Sequence, residues 1–324
     1  MKYAVIGTSW ITAAFIEAAK FAGAGAPYAV YSRNAQKGEL FARENGIEKV
    51  YTQLEQLADD EEIGAVYIAS PNALHYSQSR LMLLSGKNVI CEKPLAVKSA
   101  EIRELISLSK EKGLVYMEAI MFLYMPQLDE LKNAVKKIGT VSSADIDFSQ
   151  LSSKYPLLIN GENPNIFNPE LCTGCLMDIG VYNVYFALEL FGVPDKITSS
   201  AHFIFTGADS TGAAIFDYPD KQVTLTYSKV GQSRSCSQIF GDRGTVLIPS
   251  VSQLGEIQTV YNDLTAEKVC REISRTEIMS YEAAAFFSFI NGENPSRLDY
   301  AQQMSVKVCE CMEKIRRQNN GFKF

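Results

Sequence analysis

Three side chains have the chemistry that proton transfer at an alcohol carbon requires: Lys93, Asp178 and Tyr182. Removing a hydride from such a carbon needs a group that accepts the hydroxyl proton and returns it in the reverse direction. A tyrosine phenol can do this beside a cation, and Lys93 can supply that cation and orient the oxygen. Asp178 precedes Tyr182 by four residues, which places both on one face of a helix. The alternative for Tyr182 is a tyrosine packed in a helix.

These side chains need a scaffold, and residues 1–121 have the pattern of a doubly wound parallel sheet. Short, continuously apolar runs alternate with helical patterns, as in strands covered by helices on both faces. The predicted strands are Tyr3–Ile6, Tyr28–Tyr31, Val50–Tyr51, Ala65–Ala69, Val89–Cys91 and Val115–Ala119, and the predicted helices are Thr12–Ala22, Asn34–Asn45, Ala73–Leu84 and Ser99–Lys112. This α/β order predicts a Rossmann dinucleotide-binding domain.

Residues 122–324 have a different pattern, which predicts an α+β domain with an open, mainly antiparallel sheet. Between Ile197 and Tyr261, alternating runs follow one another without helices between them, which favours antiparallel pairing. The runs from Ile197 to Val230 carry apolar residues on both alternations. We therefore expect this substrate-binding domain to cover its sheet by forming a homodimer or a larger homo-oligomer.

The first strand-to-helix turn is the candidate pyrophosphate site. Its residues are Gly7, Thr8, Ser9, Trp10 and Ile11. Only the first glycine of the G-x-G-x-x-G pattern is present, but backbone amides that open the next helix can hold a phosphate. The Ser9 hydroxyl could donate to it. The alternative is an ordinary tight turn, and Trp10 either packs beside the cofactor or lies at the mouth of the pocket.

The end of the second predicted strand indicates which cofactor is preferred. An NAD site usually has an acidic residue there to bind the ribose 2′-hydroxyl, whereas this chain has Ser32 and Arg33. Ser32 can hydrogen-bond a 2′-phosphate, and Arg33 can pair with it and stack on the adenine. We therefore predict that NADP(H) is preferred over NAD(H). The alternative is a solvated charge cluster at the start of a helix.

Two further strand ends carry candidate cofactor-binding residues, because α/β sheets bind ligands at the carboxyl ends of their strands. They are Ser70, Pro71, Asn72 and His75 after one strand, and Glu92 and Lys93 after the next. We expect Glu92 to shape the cofactor site rather than take part in the chemistry. His75 either lies beside the nicotinamide or is a structural hydrogen-bonding residue.

The order of these motifs resembles the Gfo/Idh/MocA oxidoreductase family over essentially the whole chain. The resemblance rests on S-P-N-x-x-H at residues 70–75, E-K-P at 92–94 and D-I-G-V-Y at 178–182. It implies an NAD(P)-dependent enzyme that acts on a sugar, polyol or diol, with Lys93, Asp178 and Tyr182 as catalytic residues. Relatives often have an arginine and a histidine within the segment that spans residues 120–126 here. Their absence predicts a more apolar pocket.

Composition argues against several other classes of protein. The formal net charge is −6 without a basic run, which disfavours nucleic-acid binding. The most apolar runs fall short of the ~20 residues that span a membrane, and the N-terminal run is too short for a signal peptide, so we expect a cytoplasmic protein.

Cys172 and Cys175 form an isolated C-x-x-C pair, for which zinc binding, a redox role and simple packing are the alternatives. No metal site is predicted.

Two functions therefore remain. The first is an NAD(P)-dependent dehydrogenase or reductase that acts on CH–OH groups. The second is a catalytically silent dinucleotide-binding regulatory protein on the same fold, since a fold does not fix a function. The presence of Lys93, Asp178 and Tyr182 favours the enzyme, because a silent protein does not need all three.

Overall fold

The computed structural model describes residues 1–324. Its strands are β1 Tyr3–Ile6, β2 Pro27–Tyr31, β3 Lys49–Tyr51, β4 Ala65–Ile68, β5 Asn88–Glu92, β6 Tyr116–Ala119, β7 Val141–Ser149, β8 Lys196–Phe203, β9 Asp209–Asp217, β10 Gln222–Ser228, β11 Ser237–Gly241, β12 Gly244–Ile248, β13 Gln258–Tyr261 and β14 Ala266–Lys268. Its α-helices are α1 Trp10–Phe21, α2 Ala35–Asn45, α3 Leu54–Asp59, α4 His75–Leu84, α5 Ser99–Glu111, α6 Gln127–Lys137, α7 Tyr155–Ile159, α8 Val181–Phe191, α9 Arg275–Ile290 and α10 Pro295–Arg317.

The chain divides into two compact units. The first unit contains Met1–Tyr124 and Ser274–Val306, and the second contains Met125–Ile273 and Lys307–Phe324. This division differs from the predicted boundary at residue 121, because α9 and the start of α10 pack with the N-terminal unit.

Helix α9 belongs to the first unit because it packs against β1 and α1. The rings of Tyr3 and Phe287 lie 5.7 Å apart in an edge-to-face arrangement, and the Thr276 hydroxyl donates to Glu17 at 3.1 Å. The sequence of α9 is rich in apolar residues, but it does not show which sheet the helix covers.

A six-stranded sheet organises the first unit, in the order β3-β2-β1-β4-β5-β6. Every neighbouring pair is parallel. All four residues of β1 and of β4 are buried, as expected for strands covered on both faces. The predicted doubly wound fold is confirmed, and β4 and β5 pair side by side, so the segments that follow them are neighbours.

An eight-stranded sheet organises the second unit, in the order β14-β13-β12-β11-β7-β10-β9-β8. Only β7 and β10 pair in parallel, and the other neighbours are antiparallel. Helix α8 packs against β7 and β10, where the Asn183 amide donates to the Thr226 carbonyl at 2.7 Å. The predicted, mainly antiparallel sheet is therefore confirmed.

One segment, Pro169–Phe191, is long and apolar enough to cross a membrane by length and composition alone. This segment is longer than the apolar runs considered in the sequence analysis. However, 83% of the apolar window is buried inside the protein, and residues 181–188 of α8 are all buried. Its apolar character is thus explained by its place in the core of the second unit.

Candidate active site

The turn after β1 requires glycine. Gly7 has a φ of 110°, and a Cβ at this position would lie 2.7 Å from the carbonyl oxygen of Ala69. A side chain is excluded on both grounds. The Gly7 N–H donates to the Tyr31 oxygen at 3.2 Å, which holds the turn against the end of β2. The tight first turn of a dinucleotide fold is therefore present without the later glycines of the usual motif.

Helix α1 begins immediately after this turn with its amides available to an anion. Ser9 occupies the N-cap position with extended backbone angles, but its side chain caps no amide. Its Oγ lies 3.3 Å from the Thr12 hydroxyl. No acidic residue occupies the first turn of α1, so the helix dipole favours a bound phosphate there. Thr8 and Ile11 are half-buried in the same turn.

Trp10 is a surface residue of the first unit. Its side chain is 66% exposed, and the Arg275 guanidinium lies 5.0 Å from the centre of its ring. This is the distance of a cation–π contact. The indole is therefore held by a cation beside the first turn of α1 rather than packed in the core.

Ser32 and Arg33 have different environments at the end of β2. Ser32 is buried, and its hydroxyl donates to the Asn34 carbonyl oxygen at 2.9 Å. Asn34 in turn caps α2, because its side chain accepts the Lys37 N–H at 2.9 Å. Arg33 is exposed. Ser32 thus shapes the turn, and Arg33 is the cation that a phosphate could reach.

His75 joins two of the predicted cofactor segments. The residue is fully buried, with Nε2 2.8 Å from the Ser70 carbonyl oxygen and Nδ1 2.8 Å from the Pro94 carbonyl oxygen. Burial lowers the pKa of His75, although both carbonyls act in the opposite direction. Both ring nitrogens are therefore occupied by backbone oxygens, in agreement with the structural interpretation of this residue.

Lys93 follows β5 in a segment that carboxylates hold on both sides. Tyr67 donates to Glu92 at 2.6 Å, and the Leu95 N–H donates to Glu118 at 2.9 Å. Burial and the nearby charge of Glu92 raise the pKa of Glu282 well above its usual range. Lys93 itself is half-buried. The E-K-P segment is thus fixed by its neighbours. Asn72, another predicted cofactor-binding residue, begins the short 3₁₀ turn that precedes α4.

Asp178 and Tyr182 lie at the start of the predicted helix, which is not a continuous α-helix. Residues Leu176–Gly180 form a π-helical turn, and α8 begins at Val181. Single π turns inside helices are frequent at functional sites. The Tyr182 ring is 5.7 Å from that of Phe148 and only 8% exposed. Sequence periodicity does not distinguish such a turn from an α-helix.

Lys229 is a partner of Asp178 that the sequence did not indicate. Its ammonium lies 2.5 Å from Oδ2 of Asp178. The two residues are 51 positions apart, and they meet because the π-helical turn of Asp178 packs against β9 and β10. No motif or spacing carried a signal for this ion pair.

Asp209 is the second residue that sequence analysis missed. It is the first residue of β9 and is 1% exposed. Its Oδ2 accepts the Leu176 N–H at 2.6 Å. Gly174 has a φ of 139°, and a Cβ there would overlap with Oδ1 of Asp209. Burial raises the pKa of Asp209 to about 7.

Cys175 lies in the same segment, and its environment favours the packing interpretation of the C-x-x-C pair. The residue is fully buried. Burial raises the pKa of its thiol well above its usual range, which makes the reactive thiolate scarce. Cys172 has a φ of 53° and is half-buried.

The structure therefore groups the predicted residues within each unit. In the first unit it brings together Ser70, His75 and the E-K-P segment, beside the turn at Gly7. In the second unit it brings Asp178 together with Lys229. Lys93 belongs to the first unit, whereas Asp178 and Tyr182 belong to the second, and their joint action stays a prediction.

Comparison with protein families gives two matches. Residues 1–120 match the oxidoreductase family with an NAD-binding Rossmann fold, GFO_IDH_MocA. Residues 130–247 match the GFO/IDH/MocA C-terminal domain. The two matches follow the order of the parallel and the mainly antiparallel sheets.

Individual proteins are similar over most of the chain. The oxidoreductase YgjR of Escherichia coli is 38% identical over 90% of this chain and 88% of its own. The scyllo-inositol 2-dehydrogenase (NADP(+)) IolU of Bacillus subtilis is 35% identical over 98% of this chain and 97% of its own. The structure of KijD10, a 3-ketoreductase from Actinomadura kijaniata, has a TM-score of 0.85 with 21% identity and covers 98% of both chains.

Proposed function

Because this chain belongs to the GFO/IDH/MocA family of oxidoreductases, we propose that it is an NADP(H)-dependent dehydrogenase of a hydroxyl group in a polyol, sugar or diol. The observation that carries this proposal is the presence of Lys93, Asp178 and Tyr182 in a chain that is 35% identical, over 98% of its length, to an NADP(+)-dependent inositol dehydrogenase. A cyclic polyol is therefore the first substrate to test.

The residues of the first unit fit a dinucleotide. The amides that open α1 would hold the pyrophosphate, with Gly7 leaving room for the backbone and Ser9 donating a hydroxyl. Arg33 would pair with a 2′-phosphate. When bound, the nicotinamide supplies the hydride acceptor or donor.

Three residues would handle the proton at the substrate hydroxyl. Tyr182 would accept the proton from the hydroxyl as a phenolate and, as the resulting phenol, return it in the reverse reaction. Lys93 would orient the oxygen and stabilise the phenolate by its positive charge. Asp178 would accept a hydrogen bond from the substrate and hold it in one orientation.

The cofactor preference rests on one charge. Arg33 follows Ser32, and no carboxylate at the end of β2 is placed to bind a ribose 2′-hydroxyl. Support comes from the relative IolU, which is named for NADP(+).

Two further properties complete the proposal. Strands β8 and β14 form the edges of the eight-stranded sheet, and an open sheet favours pairing with a second copy. A homodimer or larger homo-oligomer is therefore proposed, and its proposed location is the cytoplasm. Small polyols, rather than nucleic acid or membrane, would be its partners.

The test is an activity screen followed by two substitutions. Purified protein is assayed with NADP+ and with NAD+ on inositols, sugars and aryl diols, following absorbance of the reduced nicotinamide. With an active substrate, Lys93→Met and Tyr182→Phe should each lower kcat by roughly 100-fold or more. The double variant should be little worse than the worse single one, because residues that act as a unit are not additive.

A matched control lies on the same helix. Tyr185→Phe removes the hydroxyl group of a buried tyrosine in α8 and should leave kcat unchanged. Tyr182→Phe with full turnover would make Tyr182 a packing residue. Tight NADPH binding without turnover on any substrate would instead favour the catalytically silent dinucleotide-binding protein.

A further inference from the structure

We propose that Lys229 is a positioning residue for the reaction, which fixes the orientation of the Asp178 carboxylate. This inference rests on the proposed function. Lys229 acts through Asp178, and no contact of the lysine with substrate is needed.

The first support is the geometry of the ion pair. The Lys229 ammonium lies 2.5 Å from Oδ2 of Asp178, the distance of a charge-assisted hydrogen bond. A contact to one carboxylate oxygen restricts rotation of the whole group. The other carboxylate oxygen can then accept a hydrogen bond from a hydroxyl without the group turning away.

The second support is the way in which the backbone of Lys229 is fixed. Its N–H donates to the Ser210 carbonyl at 2.8 Å, and its own carbonyl accepts the Ser152 N–H at 2.9 Å. The lysine directly follows β10, so it is carried by a rigid sheet. Asp209, adjacent to Ser210, accepts the Leu176 N–H at 2.6 Å. The sheet therefore holds the backbone and the side chain of the Asp178 turn at two separate points.

The third support is the distribution of exposure within the pair. The side chain of Lys229 is 11% exposed and that of Asp178 is 25% exposed, so the carboxylate is the more accessible partner. A second pair of this unit has the opposite arrangement, with Lys132 36% exposed and Glu189 2% exposed. An accessible carboxylate backed by a buried cation is what a group that meets a substrate hydroxyl requires. The Lys132–Glu189 pair therefore serves as an internal comparison: an ion pair in which the carboxylate is the buried partner.

The experiment uses the full chain and the polyol found in the screen. Lys229→Met removes the charge and keeps a side chain of similar length. We expect kcat to fall about 10- to 100-fold through misplacement of Asp178, with the dissociation constant of NADPH unchanged. Lys229→Arg keeps the cation and should restore most of kcat. In an Asp178→Asn background, Lys229→Met should have no further effect, because its partner is already gone.

Lys132→Met is the matched control, since it removes a lysine from an ion pair of the same length and should leave kcat unchanged. Should Lys229→Met not fold, Lys229→Gln replaces it in the same comparison. Full kcat in either charge-removing variant, together with an active wild-type protein, would overturn this inference alone. A wild-type protein that turns over none of the polyols, sugars and diols in the screen would overturn the proposed function, and this inference with it.

Discussion

Asp209→Asn is expected to make the stability of the protein less dependent on pH. The wild-type carboxyl is 1% exposed beneath the turn that carries Asp178. Burial raises its pKa from 3.8 to about 7, although the backbone N–H of Leu176 and the charge of Arg316 oppose this. Asparagine keeps an oxygen that can accept the Leu176 N–H but does not titrate. The substitution removes one proton-binding site and places an amide NH2 at one of the two buried oxygen positions, so the pH dependence of stability, rather than its absolute value, is the quantity to compare.

The direction in which the free energy of unfolding changes with pH depends on how Asp209 ionises in the folded and in the unfolded chain. Between about pH 4 and pH 7 the folded protein keeps a proton on Asp209 that the unfolded chain has lost, so the free energy of unfolding falls as the pH rises. Each pH unit contributes about 1.4 kcal/mol. Over the shift of about three units, the loss is roughly 4 kcal/mol. The stabilisation is fully present below the unfolded pKa and is gone above the folded one.

Urea unfolding at pH 5, 6, 7 and 8 measures this directly. The difference in unfolding free energy between wild type and Asp209→Asn should change by about 1.4 kcal/mol per unit below pH 7 and level off above it. Asp217→Asn, which removes a carboxylate from the other end of β9, is the control for the loss of an acidic group from this strand. Parallel curves for wild type and Asp209→Asn would refute the reasoning, because Asp209 would then ionise equally in both states.

Three further outcomes are expected. Arg33→Ala should weaken NADPH binding by about 10- to 150-fold, the loss of a charge-assisted phosphate contact, and leave NADH binding unchanged; fluorescence titration measures both, and equal wild-type constants for the two cofactors would contradict the preference. Light scattering at micromolar concentration should give at least a dimer, and a monomer would count against assembly through the eight-stranded sheet. Ser274→Ala should cost about 1 kcal/mol in urea unfolding, since the Ser274 side chain caps α9 by accepting the Glu277 N–H at 3.2 Å; an unchanged midpoint would show that this cap contributes nothing.

The N-terminal fold could be predicted because its information is local. A strand buried on both faces is a continuous apolar run, and β1 and β4 are such runs. Helix ends are also marked locally: Asn34 caps α2, and Gly46 ends it in the left-handed conformation. The position of α9 could not be predicted in the same way, because an apolar face is satisfied by any apolar partner.

The residues of the candidate site also differ in whether local sequence is enough to predict their roles. Gly7 could be assigned from the sequence because it is a glycine directly after the first predicted strand. The structure gives the reason: only glycine fits a positive φ with a carbonyl 2.7 Å from its Cβ position. Ser32 could be named, but its hydrogen bond to Asn34 depends on the conformation of the turn rather than on the residue type. His75 could be named with two roles left open, and its two carbonyl contacts at 2.8 Å are made by segments 5 and 19 residues away.

Lys229 and Asp209 escaped prediction for a physical reason. Their roles exist only because β10 pairs in parallel with β7 and antiparallel with β9, and strand pairing is non-local. A lysine after a strand and an aspartate near a glycine turn have ordinary surface roles in most proteins. Here the sheet sets both beneath one π-helical turn. The chemistry proposed for Asp178 therefore depends on residues that carry no motif, and substitutions at these two positions test the sheet's contribution separately from that of the motif.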